Sequence, residues 1–116
     1  MKIDNMKAQM RKGVLDMCIL SLLSTEAMYT SDIIERLKKS NLVIVEGTLY
    51  PLLTRLKNGD LLEYYWMESN SGPPRKYFKI TEKGRSFLAG LKDSWTEINE
   101  AVSCLTAILH YCGEAA

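Results

Sequence analysis

The sequence predicts a mainly α-helical fold with one small β-hairpin, in the order α-α-α-β-β-α. Three observations support this prediction. Three segments in the first half repeat apolar residues at steps of three and four, as amphipathic helices do. Two segments rich in aromatic and β-branched residues, 61–67 and 75–81, flank a turn-rich connector. The last segment carries a heptad repeat, which is typical of a helix that packs against another helix.

Length and composition are those of a single globular domain. The chain has 116 residues, of which 47% are hydrophobic and 25% are charged. Its formal charge is only +1, but cations concentrate in residues 1–13 and 75–85, whereas residues 91–116 are mainly acidic. A polyanionic partner is therefore expected to meet one of the two basic segments rather than the whole surface.

The residue inventory argues against a metal site, a membrane span and catalysis. The chain has one histidine, His110, and three cysteines without C-x-x-C spacing, so the usual zinc ligand sets are missing. No run reaches the roughly 18 apolar residues that span a bilayer, and Asp16 interrupts the apolar run that would otherwise pass for a secretory signal. Glycine-rich phosphate loops and serine elbows are missing too. We expect a cytoplasmic protein that is not an enzyme and needs no cofactor.

The first two helices are placed by their apolar spacing and their end signals. Apolar residues recur from Met6 to Leu23 without a proline, which predicts the first helix. A turn follows, and Thr30 or Ser31 is the expected cap of a short second helix. Ser40 and Asn41 are expected to end that helix.

The segment EGTLYPLLTRLKNGDLL predicts a third helix with one buried stripe. The stripe, at i, i+3, i+4 and i+7, consists of Leu49, Leu52, Leu53 and Leu56. Thr48 is the expected N-cap, Pro51 is expected in the first turn or just past it, and Asn58-Gly59 gives a left-handed ending. Once the leucines are buried, the solvent face carries no carboxylate and consists of Thr48, Tyr50, Pro51, Thr54, Arg55 and Lys57.

The hairpin is predicted to have a long, projecting tip. The connector E-S-N-S-G-P-P gives a loop of about seven residues, in which Pro73 and Pro74 are expected to stiffen the tip. Arg75 and Lys76 follow at once and place two cations beside it. The second strand then alternates, which puts Phe78 and its alternate neighbours on one face.

A long final helix is predicted after Thr81, its expected N-cap. From about Glu82 to Leu109 it would be roughly 42 Å long, more than a domain of this size can cover, so a second copy of the chain is the expected partner. The heptad seam runs through Leu88, Leu91, Trp95, Ile98, Val102, Leu105 and Leu109. Met10 and Val14 of the first helix are expected to join the same dimer interface.

The order helix, helix, helix, strand, loop, strand is that of a winged helix-turn-helix module. Residues 1–81 are predicted to form this DNA-binding module, and residues 82–116 a dimerisation helix packed on it. In such a module the third helix enters the major groove, where Arg reads guanine and Thr meets a thymine methyl group or a phosphate. The hairpin is the wing, and its cations meet the phosphate backbone.

Two strings, EGTLYPLLTRLKNGDLL and GPPRKYFKITEKG, resemble the core of the PadR family of bacterial transcriptional regulators. The resemblance covers roughly residues 8–95, and the length is similar to that of the family's short subtype. It implies a homodimeric repressor that binds a palindromic operator, with DNA contacts at the G-T-L-Y-P positions and in the wing. Some short members bind flat aromatic compounds between the subunits beside a tryptophan of the last helix, and Trp95 stands at a comparable place.

Spacing and resemblance together predict one set of contacts with double-stranded DNA: Ser31, Lys39, Gly47, Thr48, Tyr50, Pro51, Thr54, Arg55, Arg75, Lys76 and Tyr77. Several alternatives stay open. The wing cations could be a solvated edge, Tyr50 could cover the start of its helix, and Trp95 could pack in the dimer core without a ligand. The module could also bind a protein instead of DNA, because the winged-helix fold serves both tasks.

Overall fold

A computed structural model describes residues 1–107 of the chain. Within them the helices are α1 (Ile3–Leu23), α2 (Thr30–Lys39), α3 (Glu46–Asn58) and α4 (Glu82–Thr106). The strands are β1 (Met28–Tyr29), β2 (Leu62–Ser69) and β3 (Gly72–Ile80). The predicted fold class, mainly α with a small β-hairpin wing, is confirmed. The seam residue Leu109 and the histidine His110 lie outside the described residues.

The hydrophobic core lies where α1, α2 and α3 meet the inner face of the sheet, the face that carries Leu62, Phe78 and Ile80. The whole leucine stripe predicted for α3 is buried, as its spacing requires. The most completely buried side chains come from α1, α2, α3 and β2: Ile19, Leu20, Leu23, Ile33, Leu49, Leu53 and Leu62. The core therefore fixes α3 with its leucines inward and leaves its opposite face to solvent.

Helix α2 begins where the sequence predicts, but its N-cap residue differs from the prediction. The expected caps, Thr30 and Ser31, are wrong, because both residues are already helical. The extended residue before the helix is Tyr29, whose backbone N–H donates to the Asp32 carboxylate at 3.3 Å. Tyr29 takes this position because it belongs to β1, a two-residue strand that no local pattern predicts. The predicted end is confirmed, and Asn41 has a φ of 65°.

Helix α3 starts and ends slightly differently from the prediction. Its N-cap is the extended residue Val45, so Thr48 is the third helical residue and not the cap. Pro51 lies in the second turn of the helix, just past the first. The left-handed residue at the end is Asp60, with a φ of 61°, whereas Gly59 has a φ of −84°. Aspartate tolerates this conformation, and its carbonyl accepts a hydrogen bond from the Thr81 hydroxyl at 2.7 Å.

The sheet has the strand order β1-β3-β2, with both pairs antiparallel. The predicted seven-residue connector is wrong, because the strands pair as far as Ser69 and Gly72 and leave only residues 70–71 between them. Pro73 and Pro74 belong to β3, where the register shifts by one residue opposite Glu68. A bulge is where a strand tolerates proline, since proline has no N–H for the ladder.

Helix α4 is anchored at its start and exposed further along. As predicted, Thr81 is its N-cap, and the Thr81 hydroxyl accepts from the Gly84 N–H at 2.9 Å. Of the predicted seam, Leu88 is buried in the core and Leu91 packs against the core's edge. The seam residues beyond them are exposed on the single chain: Trp95, Ile98, Val102 and Leu105.

Candidate nucleic-acid interface

The solvent face of α3 is exposed over its whole length. Every predicted contact residue on this helix is exposed: Gly47, Thr48, Tyr50, Pro51, Thr54 and Arg55. Tyr50 is 47% exposed, so part of its side chain is open to solvent. From Gly47 to Asn58 the helix has no carboxylate that would repel a phosphate. We call this surface the recognition face.

Helical spacing divides the recognition face into two rows. Gly47, Tyr50 and Thr54 follow one another at steps of three and four and form the outer row. Thr48, Pro51 and Arg55 form the second row and line a groove against the first half of α1. The second row therefore shares its surroundings with Arg11 and Lys12, the basic residues of α1 that line the same groove.

Arg55 is turned toward α1 rather than straight out from α3. Its guanidinium donates to Asp16 Oδ2, across 39 residues of sequence. The side chains of Arg55 and Asp16 are 61% and 31% exposed, so the pair is reached by water and is worth about 1 kcal/mol or less. The other oxygen, Asp16 Oδ1, is buried and accepts no hydrogen bond from the described residues. Arg55 is thus available to another partner only in competition with Asp16.

The wing carries its two predicted cations on opposite faces, because neighbouring residues of a strand alternate. The Lys76 ammonium lies 3.9 Å from the centre of the Tyr64 ring, on the inner face of the sheet. The Arg75 guanidinium lies 5.0 Å from the ring of Tyr29, on the outer face. Tyr77, also predicted to contact DNA, is half-buried between Tyr29 and Tyr65 with ring centroids 6.1 and 5.9 Å away.

The two predicted contacts on α2 lie at opposite ends of that helix. Ser31 is exposed in its first turn, and Lys39 is exposed in its last. Lys39 pairs with Glu35 at 3.9 Å and borders a surface depression that also holds Glu26. These acidic neighbours reduce the positive potential that Lys39 could offer to a phosphate.

A second candidate site lies between α1 and α4, on the face of α4 that carries the predicted heptad seam. The two helices enclose a groove of about 560 Å³, and Asp16 and Met17 are among the residues that line it. The structure brings together in this groove most of the predicted dimer residues: Met10, Val14, Leu91, Trp95, Ile98 and Val102. Exposed apolar side chains in one contiguous patch are typical of an interaction surface. We call it the α1–α4 groove.

Other kinds of site find little support in residues 1–107. No three histidine, cysteine, aspartate or glutamate side chains of this part of the chain are grouped as metal ligands would be. None of its helices has the length and hydropathy to cross a bilayer. Cys18 is a half-buried thiol whose pKa is raised by burial, which keeps it protonated and poorly reactive at neutral pH.

Comparison with known proteins links this geometry to gene regulation. A model of the transcriptional regulator PadR-like family matches residues 19–90. A PadR-like transcription factor from Bacteroides fragilis is 61% identical, with 88% of this chain and 99% of that chain covered and a TM-score of 0.74. A PadR-like transcriptional regulator from Bacillus cereus is 40% identical, with coverages of 84% and 95% and a TM-score of 0.76. PadR from Bacillus subtilis, solved in complex with operator DNA, shares the fold at 21% identity, coverages of 67% and 46% and a TM-score of 0.62.

Proposed function

Because this chain belongs to the PadR-like family of transcriptional regulators, we propose that it is a homodimeric, sequence-specific repressor that binds double-stranded DNA in the cytoplasm. The family resemblance seen in the sequence is thereby confirmed. The observation that best supports DNA binding is the recognition face, which is exposed, lacks carboxylates and is backed by four buried leucines. A relative of the same fold, Bacillus subtilis PadR, was solved with operator DNA.

In the proposed complex, α3 lies in the major groove. The outer row presents Tyr50 and Thr54 to base edges and thymine methyl groups, and Gly47 lets the backbone approach closely. Each well-placed base contact contributes about 1–3 kcal/mol of discrimination. The wing cations meet phosphates beside the groove and set the orientation of the helix without reading sequence.

The proposed dimer forms by packing two α1–α4 grooves together. Its exposed seam residues, Trp95, Ile98 and Val102, are those that a second copy would cover. A two-fold dimer repeats each contact, so its two recognition helices suit two half-sites related by the same symmetry. Operators of this kind are palindromes with half-site centres about 34–36 Å apart.

Binding to a duplex from the region upstream of the protein's own gene tests the proposal. We expect one shifted complex whose affinity falls steeply as salt rises, because each neutralised phosphate contributes a slope of about −0.9 in log affinity against log salt. Unrelated duplexes should bind much more weakly at the same salt. Equal, weak binding to every duplex would favour the alternative function, a winged-helix module that binds another protein.

Wing cations and Arg55 are expected to act in different ways. Replacing Arg75 and Lys76 with alanine should weaken binding almost equally on all duplexes and reduce the salt slope by about two per subunit, whereas Arg55→Ala should relax preference at one base pair of each half-site. Asp16→Asn, which releases Arg55 from its ion pair, should instead tighten binding. Affinity measurements over a salt series and a set of single-base operator variants distinguish these effects. If Arg55→Ala and Asp16→Asn shift affinity in the same direction, Arg55 is only a structural partner of α1.

We further propose that a flat aromatic compound binds in the α1–α4 groove, against Trp95. The groove has mainly apolar walls that include Trp95, a surface on which a planar aromatic compound can stack. Planar aromatic cations should quench the emission of a Trp66→Phe variant, in which Trp95 is the remaining tryptophan. Unchanged emission across such a panel would leave Trp95 as a packing residue. A bound ligand would favour one separation of the two recognition helices and so change operator affinity.

A further inference from the structure

We infer that the inner face of the wing holds a second DNA contact, in which the indole of Trp66 packs on the sugar–phosphate backbone and two lysines bind the adjacent phosphate. The contact residues are Tyr64, Trp66, Lys57 and Lys76, which we call the wing cluster. The inference rests on the proposed DNA binding and adds Tyr64, Trp66 and Lys57 to the contacts proposed above, in which Lys76 already meets a phosphate.

The first support is the direction of the apolar row on β2. Leu62, Tyr64 and Trp66 alternate along the strand and pair with Ile80, Phe78 and Lys76 of β3. The row starts in the core, since Leu62 is buried, and it leaves the core toward the hairpin tip. It ends in Trp66, whose side chain meets Tyr64 edge-on and is left 63% exposed. Because the Trp66 indole is so exposed, the part of it that does not contact Tyr64 can pack against a binding partner.

The second support is the convergence of two cations on one ring. The Lys76 ammonium lies 3.9 Å from the centre of the Tyr64 ring, and the Lys57 ammonium lies 5.7 Å from it. Lys57 belongs to the last turn of α3 and Lys76 to the wing, so Tyr64 stands between the two elements. Among the described residues neither lysine has a carboxylate within ion-pair distance. Their charges therefore remain available to an anion that approaches both.

On the opposite face of the wing, one of the two cations is neutralised: Lys79 pairs with Glu63 at 3.3 Å, whereas Arg75 lies over Tyr29. In the wing cluster both cations lie over rings only, and an aromatic face holds an ammonium without cancelling its charge. Two free ammonium groups beside an exposed indole suit a phosphate next to a deoxyribose, the repeating unit of the DNA backbone.

The position of the wing cluster favours DNA over a protein partner. Lys57 continues the carboxylate-free surface of α3, so the cluster adjoins the recognition face that is proposed to enter the groove. A backbone phosphate flanking that groove would meet the two lysines, and the indole would cover the neighbouring sugar. This contact would strengthen binding on every sequence, because it reads no base edge.

The two tryptophans of the chain allow a direct test on the intact protein. Wild-type protein labelled with 5-fluorotryptophan should give two fluorine resonances, and the one missing in Trp66→Phe belongs to Trp66. We expect the Trp66 resonance to shift when the operator duplex saturates the protein. A Trp66 resonance that stays in place while gel shifts show full binding would overturn the inference and leave the proposed function intact.

Affinity measurements give a second, independent test. Trp66→Ala should weaken operator binding by about tenfold with an unchanged salt slope, because an apolar contact releases no counterions. Lys57→Ala should reduce the slope by about one per subunit. Met67→Ala, the next residue on β2 and on the outer face, is the matched control and should stay within about twofold. Circular dichroism and thermal unfolding check that each variant is folded.

Other outcomes are equally decisive. If Trp66→Ala matches Met67→Ala in DNA affinity, or if it lowers the molar mass of the protein without DNA, the cluster serves the fold or a protein interface and the inference fails. If wild-type protein binds no duplex at all, the proposed function fails and the inference fails with it. A folded Trp66→Phe variant with an intermediate loss of affinity would support the packing role of the ring.

Discussion

Gly84→Ala is expected to destabilise the protein by at least about 2 kcal/mol, because the added methyl group has no room. A Cβ atom at Gly84 would lie 2.2 Å from the Leu61 carbonyl oxygen and 2.7 Å from Ile80 Cγ1. The carbonyl cannot easily move, since it accepts a hydrogen bond from the Thr81 N–H at 3.1 Å. Gly84 therefore lets α4 pack closely on the strand ends of the wing, and alanine would force the two apart.

Chemical denaturation of Gly84→Ala beside Gly90→Ala tests this explanation. Gly90 lies in the same helix, and a Cβ atom there would meet nothing within 4 Å. Alanine at Gly90 should stabilise the protein by about 0.5–1 kcal/mol through its helix propensity. Equal effects of the two substitutions would mean that the close packing at Gly84 does not hold α4 in place.

Ile98→Glu is expected to abolish the dimer and to reduce operator affinity by at least about a hundredfold, because each half-site would then be bound separately. Ile98 lies at the middle of the exposed seam, between Trp95 and Val102 in the α1–α4 groove. In the proposed dimer the new carboxylate would be removed from water without a partner, which is costly. Sedimentation at micromolar concentration should show one chain, and gel shifts should show the loss of affinity.

A matched control separates this effect from a simple increase in negative charge. Ser103→Glu adds the same group to α4 at an exposed position that lies outside the α1–α4 groove. It should leave the mass of the dimer unchanged. A dimer that survives Ile98→Glu would place the interface elsewhere on the molecule.

The fold was predictable where a pattern repeats along the chain. The leucine stripe of α3 and the Thr81 cap of α4 are found where local spacing places them. Strand β1 was missed because it has only two residues and exists by pairing with Phe78 and Tyr77 of β3. The tip was predicted too long because proline is a strong turn signal, and only the partner strand shows that Pro73 and Pro74 form a bulge.

The candidate site was predictable to a smaller extent. Exposure of the recognition face follows from burying its leucines, so periodicity alone indicates it. The Arg55 and Asp16 pair joins residues 39 positions apart, and no local signal connects them. The opposite directions of Arg75 and Lys76 follow from the strand alternation that the sequence predicts for residues 75–81. The approach of Lys57 to Tyr64 depends on how α3 meets the wing, which is a tertiary contact.

The most direct test of the central claim is the molar mass of the complex with a duplex that holds one palindromic operator, measured by light scattering at physiological salt. In the proposed complex, two chains are joined through their α1–α4 grooves, and each places its recognition face and its wing on the DNA. We therefore expect the mass of two chains per duplex. The Ile98→Glu variant should give no stable complex under the same conditions. One wild-type chain per duplex, or no complex at all, would contradict the account.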